Sequence, residues 1–208
     1  MTDAPLSYIH RFEPGTEPGL RPLLLLHGTG GDENDLVPLG HMIAPGAAIL
    51  SPRGKVLENG MARFFRRFAE GVLDEDDVRR RAGELVEFIA EARNRYGIAA
   101  PIALGYSNGA NIAAAILLLH PDALAGAILL RTMAPLAAPP PVDLNGKPVF
   151  IALGARDPMI SGEGAARLLS LLQRNGADVE KHVLPSGHEL SQADFALART
   201  WMQSHGGV

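Results

Sequence analysis

The chain has no cysteine among its 208 residues. That excludes disulfides, thiolate metal sites and a cysteine nucleophile, and it suits a cytoplasmic protein. Positive charge is not in excess: 19 Lys and Arg stand against 23 Asp and Glu, a formal net charge of -4. A general nucleic-acid binder needs a basic surface, so that class is set aside. Long apolar runs are also missing. The longest, residues 112–119, is far too short to cross a bilayer, so no membrane insertion is expected. The opening stretch MTDAPLSYIHRFEPG has no apolar core of signal-peptide type. No segment repeats at a fixed period. The length suits one domain, residues 1–208, with enough apolar sequence for a sizeable core.

What is present is an alternation of two patterns. Short apolar runs at 23–26, 47–50, 102–104, 127–130, 149–153 and 179–184 have the length of buried parallel strands. Residues 7–12 alternate polar and apolar, as in an edge strand. Between the runs lie helical stretches: a short one opening at Asp35, a long one over 74–96, one after residue 109, one over 162–174 and a last one over 190–203. The long helix carries an apolar stripe of Val78, Leu85, Val86, Phe88, Ile89 and Ala92, an acidic N-terminus at 74–77 and a stop at Gly97. Alternating strands and helices predict an α/β fold, a mainly parallel sheet covered on both faces. The proline-rich stretch 134–141 is no linker, because strands of the same pattern continue beyond it.

Two glycine-rich turns end strands abruptly. In the first, His27-Gly28-Thr29-Gly30-Gly31-Asp32, no Gly-Lys-Ser/Thr follows and the sixth position of a G-x-G-x-x-G is Glu33, so neither phosphate-binding pattern is met. Asp32, Glu33 and Asp35 are read as acidic residues opening a helix, not as a metal site. The second turn, Gly105-Tyr106-Ser107-Asn108-Gly109, is a G-x-S-x-G between a strand and a helix. That context makes Ser107 a candidate nucleophile at the apex of a strained turn.

A serine needs a base in reach and a group to orient the base. Seven histidines are candidates. His10 and His182 fall within strands, His120 ends a helix, and His41 and His205 lie in ordinary polar surroundings. His27 and His188 come just after strands, where parallel sheets place their sites. His27 shapes the first glycine turn. His188 sits in a Ser-Gly-His turn after the last strand, and Asp157 occupies the equivalent place one strand earlier. The order Ser107, Asp157, His188 is that of an α/β-hydrolase triad. Backbone N–H groups of Thr29 and Asn108 are the candidate oxyanion donors.

The four segments around His27, Ser107, Asp157 and His188 together resemble the phospholipase/carboxylesterase family of α/β-hydrolases, which includes the acyl-protein thioesterases and lies near dienelactone hydrolase. The resemblance runs from about Leu23 to Trp201. It implies an α/β-hydrolase fold without a large cap, a Ser107–Asp157–His188 triad, an oxyanion hole at Thr29 and Asn108, no cofactor, no metal and, in many members, a homodimer. Asn108 stands where thioesterase members usually carry Gln, and residues 53–71 resemble a branch of small bacterial carboxylesterases more closely. The function so implied is a cytoplasmic serine carboxylesterase for small esters. Thioester or lysophospholipid hydrolysis is the alternative within the class, and an inactive ligand-binding relative the alternative outside it.

Residues 53–71 interleave Arg53, Lys55, Arg63, Arg66 and Arg67 with Phe64, Phe65 and Phe68. Two readings stand: a lid over a pocket, or a solvated loop tied down by salt bridges. In the lid reading Phe64 and Phe65 point to opposite sides, one of them into the pocket. Arg63, Arg66 and Arg67 then ring the entrance and favour anionic or aromatic esters.

Overall fold

A computed structural model of the chain describes residues 6–207. Residues 1–5, part of the opening stretch read for a signal peptide, and Val208 lie outside the described residues. The apolar runs become strands β1 (His10–Glu13), β2 (Leu23–Leu26) and β3 (Ile49–Pro52). Two small hairpins follow, β4 (Val56–Glu58) with β5 (Met61–Arg63) and β6 (Arg67–Ala69) with β7 (Val72–Leu73). The sheet then continues with β8 (Ile102–Tyr106), β9 (Gly126–Leu130), β10 (Pro148–Gly154) and β11 (Asp178–Leu184). The sheet order is β1-β3-β2-β8-β9-β10-β11, antiparallel only between β1 and β3. β3 runs two residues past the expected end because Ser51 and Pro52 still pair with Arg11 and His10. β2 has stopped pairing by then, so the missing N–H of Pro52 costs the ladder nothing on that side.

Five helices cover the sheet among the described residues: α1 (Val37–Ile43), α2 (Glu75–Tyr96), α3 (Asn108–Leu119), α4 (Gly162–Arg174) and α5 (Gln192–His205). Side chains alternate along each inner strand and so feed two separate cores. Leu24, Leu26, Ala103, Ala127, Leu129, Val149 and Ile151 pack under α2, α3 and α4. Leu23, Leu25, Ile102, Leu104, Ile128, Leu130, Phe150 and Ala152 pack under α1 and α5. Each fully buried Leu, Ile or Phe contributes about 1.5–3 kcal/mol. No helix of the described residues is long and apolar enough to cross a membrane.

The helix ends follow the sequence signals. Asp74 caps α2 by accepting from the Asp77 N–H, and Gly97 ends it in the left-handed region at φ 65°. α5 starts two residues later than expected, because Ser191 and Asp194 close a capping box. One expectation fails here. Asp32, Glu33 and Asp35 do not open a helix, since the first turn of α1 carries no acidic residue. Asp32 instead accepts the Asn34 N–H, and Glu33 pairs with Arg53 at 2.5 Å. No cluster of metal-ligand type occurs among the described residues.

Candidate active site

β8 must hand over to α3 between two close-packed elements, and the glycines of the G-x-S-x-G make that approach feasible. A Cβ on Gly109 would lie 1.9 Å from the Leu26 carbonyl oxygen, and one on Gly105 would lie 2.6 Å from the Ala110 Cα. Ser107 sits at the apex with φ 53° and ψ −113°, a conformation that L-residues rarely adopt. The strain is held in place by the Ser107 N–H donating to the Leu130 carbonyl at 2.9 Å, and by the Asn111 N–H donating to the Ser107 carbonyl at 3.0 Å.

Asp157 follows β10, and its carboxylate is divided between two tasks. Oδ1 accepts the N–H groups of Met159 and Ile160 at 2.8 and 3.1 Å. Oδ2 lies 2.8 Å from His188 Nδ1. A carboxylate only accepts, so Nδ1 carries the proton and donates. The neutral ring then presents Nε2 as an acceptor to the Ser107 hydroxyl, 2.9 Å away. The three side chains expected from three different strand ends are thus brought into one hydrogen-bonded run. Asp157 is almost wholly buried, at 1% exposed, while His188 keeps 17% of its side chain open. Such a run can move a proton from a hydroxyl to an imidazole while a fixed carboxylate stabilises the resulting cation.

Thr29 and Asn108 line one small recess together with Ser107, about 30 Å³ in volume. Asn108 opens α3, so its N–H has no acceptor within the helix. Dipole and free N–H groups at this helix start favour developing negative charge.

Residues 53–71, read either as a lid or as a loop tied down by salt bridges, both line this recess and support it. The Gly30 N–H donates to the Ala62 carbonyl at 2.9 Å, and Arg63 Nη1 donates to Thr29 Oγ1 at 2.7 Å. The Phe64 N–H donates to Asn108 Oδ1 at 2.7 Å, and the Gly54 N–H to His27 Nε2 at 3.0 Å. Both candidate oxyanion residues therefore lean on residues 54–64. The expectation that one of Phe64 and Phe65 faces the pocket does not hold. Both are buried in the core under α2 and α3, with Phe64 packed on the His27 ring at 4.7 Å. The ring of free positive charge also fails. Arg66 pairs with Asp74 and Asp77, and Arg67 with Glu58 and Glu70, so these two belong to the salt-bridged reading. Arg63 and Arg67 both line the recess, and Arg63, only 3% exposed, is itself paired with Glu58 at 3.1 Å.

His27 shows what a histidine does when it shapes a loop. Nδ1–H donates to the Gly28 carbonyl at 2.7 Å while Nε2 accepts from Gly54, so both nitrogens are used by the neutral ring. Burial pushes its pKa below the ordinary 6.5, against smaller upward pulls from the Gly28 carbonyl and Asp35, Asp32 and Glu33. The unfolded chain then binds a proton that the folded chain refuses. Stability is full above about pH 6.5 and is lost as pH falls through that value towards the lower native pKa. Urea unfolding at pH 7.5, 6.5 and 5.5 should show this decline, and His27→Gln should flatten it. Equal slopes in the two proteins would remove His27 as its source.

One buried residue that braces the site gave no local signal. Arg131 directly follows β9, at φ 58°, and is completely buried. Its guanidinium grips Asp194 through two bonds of 2.7 and 2.9 Å. It also donates to the turn that carries His188: to the Gly187 carbonyl at 3.0 Å, Ser186 Oγ at 3.0 Å and the Glu189 carbonyl at 2.8 Å. Burial alone would raise the Asp194 carboxyl, but hydrogen bonds from Arg131 and Ser191 outweigh it and hold the pKa below the usual range. Tyr106 adds a further tie by donating its hydroxyl to the His188 carbonyl at 3.1 Å.

Comparison with known proteins agrees with this architecture. Residues 51–175 match the family model described as alpha/beta hydrolase fold. MhqD of Bacillus subtilis (strain 168), whose name assigns it provisionally to the hydrolases, is 46% identical over 194 residues, 92% of this chain and 96% of that protein. The Bacillus cereus carboxylesterase superposes with a TM-score of 0.91 at 44% identity, covering 94% of this chain and 93% of the other. The Mesorhizobium loti carboxylesterase superposes at 0.90 with 35% identity, covering 98% and 97%. With its parallel sheet, its serine at the strand–helix turn and these relatives, the chain belongs to the α/β-hydrolase family, in the branch that holds the small bacterial carboxylesterases.

Proposed function

We propose that this chain is a serine carboxylesterase that works on small esters through an acyl-enzyme on Ser107, within a single domain. The observation that carries the reading is the unbroken run Ser107 Oγ, His188 Nε2, His188 Nδ1, Asp157 Oδ2, with contacts of 2.9 and 2.8 Å. His188 takes the Ser107 proton as the oxygen attacks the ester carbon. The oxyanion forms against the N–H groups of Thr29 and Asn108, which are fixed before the reaction begins. The imidazolium, balanced by Asp157, returns the proton to the leaving alcohol. Water then repeats the sequence on the acyl-enzyme and releases the acid. No metal or cofactor enters these steps. The relatives named carboxylesterase support an ester as the substrate.

The test is labelling by a fluorophosphonate, which reacts only with an activated serine. One equivalent should attach, on Ser107, with loss of esterase activity in step. A protein that binds small molecules but takes up no label would be a receptor built on the fold, and the reading would fall.

A further inference from the structure

The recess beside Ser107 has an unusual floor for an acyl pocket. One wall is apolar, from Leu73, Met133 and Met159. The polar lining comes from Arg63, Arg67, Glu70 and Asn111, together with Thr29, Ser107 and Asn108. Asn111 lies one helical turn beyond Ser107, whose carbonyl accepts its backbone N–H at 3.0 Å. Its side chain is 95% hidden, being 5% exposed. Oδ1 is used twice, accepting from Thr132 Oγ1 at 3.1 Å and from the Met133 N–H at 3.0 Å. That fixes which end of the amide is oxygen, and Nδ2 is left with no hydrogen bond among the described residues. Arg63 donates Nε to the Phe65 carbonyl at 3.1 Å and Nη1 to Thr29 Oγ1 at 2.7 Å, and Glu58 Oε2 lies 3.1 Å from the same Nε. Arg63 Nη2 likewise makes no hydrogen bond among the described residues.

Formal charge does not explain the arrangement. Glu58 and Glu70 balance Arg63 and Arg67 around the recess. What is left over is Asn111 Nδ2 and Arg63 Nη2, two N–H donors that make no hydrogen bond among the described residues. Donors left open to the recess keep water there, and an apolar chain placed against them would strip that water and give nothing back. The recess is lined by Ser107, Thr29 and Asn108 but not by His188, towards which the leaving oxygen must come. The group that enters it is therefore the acyl side of the ester.

We propose that Asn111 and Arg63 form a polar acyl subsite, selecting a short acyl group that carries an oxygen acceptor a few bonds from the ester carbonyl. A 3-hydroxyacyl group and a short carboxylated acyl group share that chemistry. A fatty acyl chain lacks it. The inference rests on the serine esterase reading and adds the substrate class to it.

The test compares 4-nitrophenyl esters of butyric acid, 3-hydroxybutyric acid and succinic acid on the intact protein. The wild type should favour at least one oxygenated ester over butyrate by about tenfold in kcat/KM, because an unmet donor rejects the analogue that lacks the acceptor. The larger gain falling on the hydroxy ester or on the succinate tells which acceptor the subsite takes. Asn111→Asp keeps the oxygen that Thr132 and Met133 need and turns the free donor into an acceptor. It should cut the succinate-to-butyrate ratio by about tenfold or more and leave the hydroxy ester less affected, since a hydroxyl can donate. Asn111→Leu should bring all three esters within about threefold of one another. Arg63 also holds Thr29, so Arg63→Met lowers every rate, and only its effect on the ratio is read. A wild type that prefers butyrate, or ratios unmoved by Asn111→Asp and Arg63→Met, overturns the proposal. Absence of fluorophosphonate labelling and of turnover on all three esters is a different result, and counts against the esterase reading itself.

Discussion

Ser107→Ala should lose at least about 10⁴-fold in kcat on any ester the protein turns over, while remaining folded. The hydroxyl supplies the attacking atom, and nothing else in the recess replaces it. Its one side-chain hydrogen bond is to His188 Nε2 at 2.9 Å, at the edge of the cleft. Removing it costs little packing, so unfolding free energy should change by no more than about 1 kcal/mol. Ser107→Gly provides an internal check. The backbone at φ 53°, ψ −113° is strained for serine and alanine alike but far less so for glycine. The glycine variant should be equally inactive, yet roughly as stable as the alanine variant or more so, despite the entropy glycine brings to the unfolded chain. Turnover near wild type for either variant, in a preparation cleared of contaminating esterases, would remove Ser107 from the chemistry.

The parts of this site that lie close together in sequence could be read before the fold was seen. G-x-S-x-G between an apolar run and a helix dictates a turn, because Gly109 must pass the Leu26 carbonyl and Gly105 must pass Ala110. Asp157 and His188 could be placed because a parallel sheet puts its loops at one edge, and each follows a strand. Residues 53–71 resisted because their hairpins are two or three residues to a strand, too short to show a period, and are held by bonds to distant loops. The alternation argument for Phe64 and Phe65 assumed an exposed extended loop. They lie instead in the link between β5 and β6, under α2 and α3, where both sides of the chain are covered. Asn111 carries no local signal, because its significance depends on Thr132 and Met133 capturing its oxygen.

Arg131 was the least legible of all. An arginine at the end of an apolar strand reads as a surface charge, and its partners lie 21 to 63 residues further along the chain. Its effect on activity should nevertheless be large. Replacing it alone by Met would leave the Asp194 carboxylate buried without its counter-charge, a loss of about 3–5 kcal/mol that could unfold the protein and so teach little. The informative variant is Arg131→Met with Asp194→Asn. The asparagine stays neutral and still accepts from the Ser191 N–H, which Asp194 now holds at 2.8 Å, so the start of α5 keeps its cap. The buried charges disappear together, and most of the stability should return. What does not return are the three bonds from the guanidinium to Ser186, Gly187 and Glu189, on both sides of His188. The imidazole would then be aimed by Asp157 and the Tyr106 hydroxyl alone. A misplacement of the base by about 1 Å costs on the order of 10²-fold, because proton transfer needs both contacts at once. The double variant should therefore lose about that factor in kcat with KM little changed, and fluorophosphonate labelling of Ser107 should slow in proportion. Arg131→Lys, which keeps one charge but cannot span the turn and Asp194 together, should fall between the two. A double variant with near-native stability and kcat within about threefold of wild type would reduce Arg131 to a structural residue, leaving the aim of His188 to Asp157 and Tyr106.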